Sequence, residues 1–529
     1  AIILLGVVVI LSVLVLYLRR TYSYFRRHGI NHVPVLPPLG NMWRVTLRIS
    51  HVSEVVSELY NKFPNDRFVG QYEFMNPLVM IRDVELIKQI TVKDYDSFLD
   101  HRFNIDTDVD PLFGSNLFAL KGQKWRDMRS TLSPAFTSSK IRLMVPFMVE
   151  VGDQMIVYLK NKMKQNGTNY IDIQTKDLTS RYTNDVIATC AFGIKVDSMA
   201  DENNDFYAMG KVAANLTFIQ LLKFFAYSSM PKLMSTLKIT MFNEEIQNFF
   251  TNIVMGSMKN REENNIVRND MIQILMDAKK GTLSHDFKTE DDSAGFATVE
   301  ESAVGKATVR REWSDKELIA QAVVFFLAGF DGVATVMTFL LYELALNPDC
   351  QEKLFKEIQE ADKVNKGFDY SSVQKMKYLD MVVSEVLRKW SPAVMADRVA
   401  VKPYNLGRPN SEATEDFIIQ PGQGVIIPVW SMHHDPQYFE NPEKFDPERF
   451  SDENKHKILP STYSPFGSGP RNCIGSRFAL CEVKVMAYQI IKDMEVLPCE
   501  KTSIPMVLSK STFNLRDKNG HWLRVKARN

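Results

Sequence analysis

FGSGPRNCIG, residues 466–475, holds three glycines, one proline and a single cysteine in ten positions, and after Ser476 comes the apolar run RFALCEVKVMAYQII. A thiolate binds metal only in an electropositive setting. The start of a helix supplies one, because its first N–H groups point outward without partners. Cys473 is placed there, with Arg471 two residues away. Gly467, Gly469 and Gly475 clear side chains from a surface where a flat ligand would press on the backbone. Zinc and iron–sulfur sites need several clustered Cys or His ligands, and none lie nearby in the sequence. A lone thiolate facing a large planar group suits haem iron. The plainer alternative is a glycine turn with a half-buried thiol.

Outward from the loop, the chain reads as mainly α with a minor β part. It has 529 residues, 45% of them apolar and 24% charged, with formal net charge +1. That composition suits one large globular body and argues against nucleic acid as a partner, which would require a basic surface. Five cysteines, Cys190, Cys350, Cys473, Cys481 and Cys499, are too few and scattered for a disulfide framework and indicate a reducing compartment. Residues 1–18 carry no charge, and Arg19, Arg20, Arg26 and Arg27 follow. Eighteen helical residues cover about 27 Å, close to the hydrocarbon thickness of a bilayer. Residues 1–20 are therefore expected to be an N-terminal transmembrane anchor, with the rest of the chain on the cytosolic side. A cleaved signal peptide would have a shorter apolar core, preceded by its basic residues. Residues 21–41, basic and then proline-rich (HVPVLPPLGN, 32–41), are expected to be a stiff hinge. Residues 42–529 are expected to form one large domain, with 281–313 as a surface loop.

From residue 42 to about 280 helical spacing dominates, as in WRDMRSTLSPAF (125–136) and LTSRYTNDVIATCAFG (178–193). Ser314 and Glu317 form a capping box that opens a helix of about 32 residues, stopped at Asn347-Pro348. Its middle is apolar enough to cross a membrane, but Asp331 sits near its centre, where a bilayer would charge about 2.5–3.5 kcal/mol. A core helix with Asp331 facing a cavity is preferred.

The loop residues Phe466, Gly469, Arg471, Cys473 and Gly475 at these offsets resemble the haem-binding loop of the cytochrome P-450 family, the haem-thiolate monooxygenases. The resemblance covers nearly the whole chain. It implies that family's fold in a single large domain, with Cys473 as thiolate ligand to haem iron. It also implies that Trp125 and Arg129 (WRDMR), Arg398 (ADRV), Arg471 and His101 (DHRF) bind the haem propionates, with Arg102 as the alternative to His101. Phe466, Gly467, Gly475 and Ala328 would lie against the cofactor. Glu385 and Arg388, three apart on one helical face, would be joined by Arg449 of PERF in a structural network. On its own that spacing is also that of any surface ion pair.

AGFDGVATV (328–336) is similar to the family's distal helix motif, in which an acid and a threonine relay protons. Ala328, Gly329 and Asp331 match, but Gly332 stands at the threonine place. Thr335, one turn on, is expected to supply the hydroxyl through water. Expected substrate walls include Phe113 and Phe118, Phe218 in the segment 216–231, and Phe325 and Phe326. RNDMIQILMDAKKG (268–281) and FLAGFD (326–331) resemble the microsomal insect members that oxidise plant toxins and insecticides.

The implied reaction inserts one atom of O2 into a lipophilic substrate. The chain has no dinucleotide or flavin fingerprint, so its electrons would come from a membrane-bound NADPH-dependent flavoprotein reductase, with cytochrome b5 as a second donor. Lys124, Arg126, Lys140 and Arg142 are the candidate docking cations. Endoplasmic reticulum membrane is the implied location. Two alternatives stay open: a haem-thiolate isomerase or dehydratase acting on peroxides without a reductase, and a non-catalytic haem protein that binds a ligand.

Overall fold

The computed structural model describes residues 2–214, 217–280, 295–307, 311–364 and 369–528. Helices take up 54% of the chain and strands 9%. The long apolar run opens at its Ser314–Glu317 capping box and continues as Asp315–Leu327, a wider-wound turn Ala328–Gly332, and Val333–Leu346. Nearly every side chain of Val333–Leu346 is buried. Thr175–Ile187 and Ser476–Asp493 pack on it, and Ser138–Asn166 packs on the latter. A helix apolar all round belongs in a core of this kind. The separate helix Ile2–Tyr22 is long and apolar enough to cross a membrane, and its apolar side chains are exposed.

The wider turn, with i→i+5 geometry, falls on AGFDG. Such bulges bend a helix and free backbone groups, and they recur at functional sites. At Gly329 a Cβ would lie 2.9 Å from Ile187 Cδ1, so bulk there would push on the neighbouring helix.

Among the described residues, three sheets flank the helices. The largest orders its strands Phe68–Glu73, Asn76–Ile81, Gly424–Ile427 and Ala396–Val399; the middle pairing is parallel and the outer two antiparallel. Its first two strands lie in the region read as helical. Phe68–Glu73 is buried along its whole length, so the alternation that marks a half-exposed strand is missing. Tyr170–Gln174 was likewise not anticipated; it pairs with Trp522–Ala527, which pairs in turn with Met494–Leu497.

The expected surface loop 281–313 differs over its described part. Residues 281–294 and 308–310 lie outside the described residues. Ala297 and Trp313 are buried, and Ser130 Oγ donates to the Ala307 carbonyl. This segment packs back onto the helix Gly122–Leu132.

Candidate active site

The cysteine loop is closed by its own backbone. Cys473 N–H donates to Phe466 O at 2.8 Å, Asn472 N–H to Gly469 O at 2.9 Å and Gly467 N–H to Ser464 O at 3.0 Å. Gly469 has φ +71°, and a Cβ there would fall 1.8 Å from Thr91 O. Only glycine fits both the conformation and the approach. The following helix starts at Ser476, capped by Gly475. Cys473 therefore sits just before the helix rather than in its first turn. Burial pushes its thiol up, while the Gly475 amide and the charge of Arg129 pull it down.

Cys473 opens into a cavity of about 700 Å³, and so do Phe466, Gly467, Trp125, Arg129, Arg398, Arg471, His101, Ala328, Gly332, Phe118 and Phe325. Most other walls are apolar, among them Leu117, Leu221, Phe224, Phe225, Val336 and Phe513. Two polar groups on this wall lack partners that suit them. Arg398 is buried, yet among the described residues the one hydrogen bond of its guanidinium runs from Nη1 to Asp397 O at 2.7 Å. The Trp125 indole N–H makes no hydrogen bond among the described residues. A buried cation facing a cavity is costly until an anion meets it. The propionates of a porphyrin would satisfy both groups, and the Cys473 thiolate would hold its iron, so these residues fit haem. When bound, haem supplies the redox chemistry, and a metal cation beside the sulfur reverses the effect of burial on the thiol.

Arg471 is held otherwise than a free propionate clamp would be. Its Nε donates to Leu99 O and its Nη2 to Leu120 O, both at 2.7 Å. Its guanidinium stacks 4.0 Å over Trp125. Burial, then the nearby Arg398, lower its pKa to about 9. It clips the loop 99–120 to the cysteine loop. His101 Nδ1 bonds Asp397 Oδ1 at 2.9 Å, and its ring stacks on Phe118. Asp397 Oδ2 accepts the Arg102 backbone N–H, while Arg102 Nη2 reaches Glu73. Arg129 is also engaged, by Glu301 and Asn472.

Behind the loop, Arg388 grips Glu385 through Nε at 2.7 Å and Nη2 at 2.9 Å, with both side chains fully buried. Arg449 Nε reaches Glu385 Oε1 at 3.3 Å. Arg388 Nη1 donates to His433 O, and His433 Nε2 accepts the Ser464 N–H, which carries the network into the cysteine loop. Burial pushes the His433 pKa down to about 3. The ring is neutral, with Nδ1–H donating to Arg388 O.

The distal side corrects several expectations. Asp331 does not line the cavity. It pairs with Lys176 at 3.1 Å and Arg516 at 3.2 Å, and accepts from Asn514 Nδ2 at 2.7 Å. Thr335 does not face the cavity either: its hydroxyl donates to Asp331 O at 2.8 Å and accepts from Lys176 Nζ at 2.9 Å. That is the usual fate of a helical hydroxyl beside a free carbonyl. At Gly332 a Cβ would meet nothing within 4 Å. Phe113, Phe218 and Phe326 are also absent from the cavity wall. Phe113 packs on Phe242, and Phe218 lies under the Arg48 guanidinium. Phe326 is buried among Phe192, Phe206, Phe250 and Phe330. Helical periodicity marks a phenylalanine as inward-facing without saying whether core or cavity lies inside.

Asn472, Glu301, Lys176, Asn514, Arg516, Asp397 and His433 were not singled out by sequence. Each is an ordinary polar residue whose partner lies far along the chain. Asn472, next to Cys473, and Asp397, next to Arg398 in ADRV, were the two within reach of a motif.

A thiol at the floor of an apolar cavity, lined by arginines and backed by a buried Glu–Arg pair, fits what a haem-thiolate site requires. The Cytochrome P450 family model matches residues 32–524. Cytochrome P450 9e2 of Blattella germanica is 43% identical over 531 residues, covering 98% of this chain and 96% of that one. Probable cytochrome P450 9f2 of Drosophila melanogaster is 42% identical, covering 96% and 95%. Probable cytochrome P450 6a13 of the same fly is 37% identical over the same shares. The chain belongs to the cytochrome P450 family, the haem-thiolate monooxygenases.

Proposed function

We infer that this enzyme inserts one atom of O2 into lipophilic small molecules such as xenobiotics, plant toxins and insecticides. Two electrons reach it from NADPH through a flavoprotein reductase, and two protons complete the reduction of the second oxygen atom to water. The observation that carries this reading is the aromatic and aliphatic cavity that opens above Cys473, a lining suited to apolar molecules. Cytochrome b5 is proposed as a second electron donor. Of the four candidate docking cations, Lys124 pairs with Glu317, Arg126 with Asp96, and Arg142 lies over the Tyr370 ring. Lys140 completes the set.

The enzyme is proposed to sit in the endoplasmic reticulum membrane on the helix Ile2–Tyr22, with its body in the cytosol. Ile219, Leu222, Leu233 and Leu237 are exposed apolar residues that would dip into the same membrane surface. Asn166 stands in a glycosylation triplet, Asn-Gly-Thr, that stays bare in this topology. The Asn215 triplet lies outside the described residues.

Reconstitution with the reductase tests the activity. A lipophilic substrate should stimulate NADPH consumption and yield an oxygenated product, and Cys473→Ala should lose the thiolate absorption signature of the reduced, carbon-monoxide-bound form. The Gly332 position favours one competing reading, a peroxide isomerase, because neither it nor Thr335 offers the cavity a hydroxyl. Turnover of a lipid hydroperoxide without reductase would establish that reading instead.

A further inference from the structure

Residues 295–307 and 311–313 form a strap against the helix Gly122–Leu132 and the cysteine loop. Phe296 N–H donates to Asp380 Oδ2 at 2.9 Å, and its ring packs on Phe450 and Tyr463. Asn472 Nδ2 donates to Glu300 O at 3.0 Å. Arg311 pairs with Asp127 at 2.9 Å, and Trp313 Nε1 donates to Thr131 Oγ1 at 3.3 Å.

Between these anchors the strap turns one carboxylate inward. Glu301 Oε2 accepts from Arg129 Nη2 at 2.7 Å and from Ser133 Oγ at 3.0 Å. Its Oε1 accepts from Arg129 Nε at 3.2 Å and from the Ser302 N–H at 3.0 Å. The same guanidinium reaches Asn472 O at 2.7 Å through Nη1 and Asn472 Oδ1 at 2.8 Å through Nη2. Glu301 is thus one arginine away from the residue next to Cys473, and the pair is 14% and 3% exposed.

We propose that Glu301 is a positioning residue of the haem-thiolate site: it fixes Arg129 against the cysteine loop and supplies a negative charge that favours the oxidised iron. The proposal rests on the haem-thiolate assignment. Arg129, Arg398 and Arg471 are cations that line the cavity together with Arg102, which Glu73 already pairs. Cations near a haem favour its reduced state, since reduction removes one positive charge from the iron, and the effect is strong where water is excluded. Glu301 offsets Arg129. Without its charge Arg129 is unbalanced, although Asn472 still holds Nη1 and Nη2.

The test is the ferric/ferrous midpoint potential of the holoenzyme, measured by spectroelectrochemical titration for wild type, Glu301→Gln and Glu301→Asp. Gln keeps the shape and loses the charge; Asp keeps the charge and shortens the reach. The expected result is a positive shift for Glu301→Gln, with Glu301→Asp staying near wild type. An unchanged potential in Glu301→Gln, or equal shifts in both variants, would overturn the proposal and reduce Glu301 to a strap anchor. A chain that takes up no haem would overturn the family-based reading along with it.

Discussion

Asn514 donates from Nδ2 to Asp331 Oδ2 at 2.7 Å, and so joins the cavity wall to a carboxylate that does not itself line the cavity. Lys176 and Arg516 hold the other side of the same carboxylate. Any proton that Asp331 hands toward the cavity has to pass this amide or a water beside it, because Thr335 is turned the other way.

Burial pushes the Asp331 carboxyl up, but Lys176 and Arg516 outweigh it and hold it below the ordinary carboxylate range. A depressed folded pKa stabilises the fold above the unfolded value, and that stability is lost as pH falls through the folded one. Asp331→Asn leaves both cations facing a neutral amide. It should cost about 3 kcal/mol at neutral pH, the low end for a broken buried pair because Arg516 is partly exposed. The gap between the two proteins should narrow below about pH 4. Denaturant unfolding across that pH range checks it.

Gly332→Thr should be tolerated. Its backbone is helical, at φ −62°, and an added Cβ meets nothing within 4 Å. Threonine is also a slightly better helix residue than glycine, by a few tenths of a kcal/mol, or roughly that. The variant should keep its melting temperature and waste less NADPH as hydrogen peroxide per product formed. If peroxide leakage did not fall, the missing hydroxyl would not be what limits coupling.

Glu385→Ala should be among the most damaging single changes. It leaves the fully buried Arg388 without its carboxylate and removes the Arg449 Nε contact, a loss of about 3–5 kcal/mol by analogy with other broken buried pairs. Arg449→Ala removes a more peripheral contact and should cost far less. Thermal unfolding followed at the haem absorption band would separate the two.

Phe325 and Phe326 are adjacent but should behave oppositely. Phe325 lines the cavity, whereas Phe326 fills a cluster of four other phenylalanines. Phe326→Ala should destabilise by about 3–5 kcal/mol through the void it leaves. Phe325→Ala should chiefly alter which substrates are oxidised, seen as changed product ratios at nearly unchanged melting temperature.

How far each feature could be read from sequence follows the range of the interaction behind it. The cysteine loop, the capping box at Ser314 and the i,i+3 spacing of Glu385 and Arg388 are local patterns. Their physics closes within a turn or two of chain, so residue type and spacing carry it. The strands Phe68–Glu73 and Asn76–Ile81 were missed because a strand buried on both faces has no alternation to detect.

Sequence alone determined a glycine-rich loop that presents one cysteine just before a helix, one long apolar core helix and an apolar N-terminal segment. Only tertiary structure decided what that core helix faces: the cavity at Gly332, Lys176 at Thr335, a phenylalanine cluster at Phe326. It also decided that Glu301 meets Arg129 across 172 residues. Periodicity fixes which face of a helix avoids water, but the identity of what waits on that face depends on segments that reach it only when the chain folds.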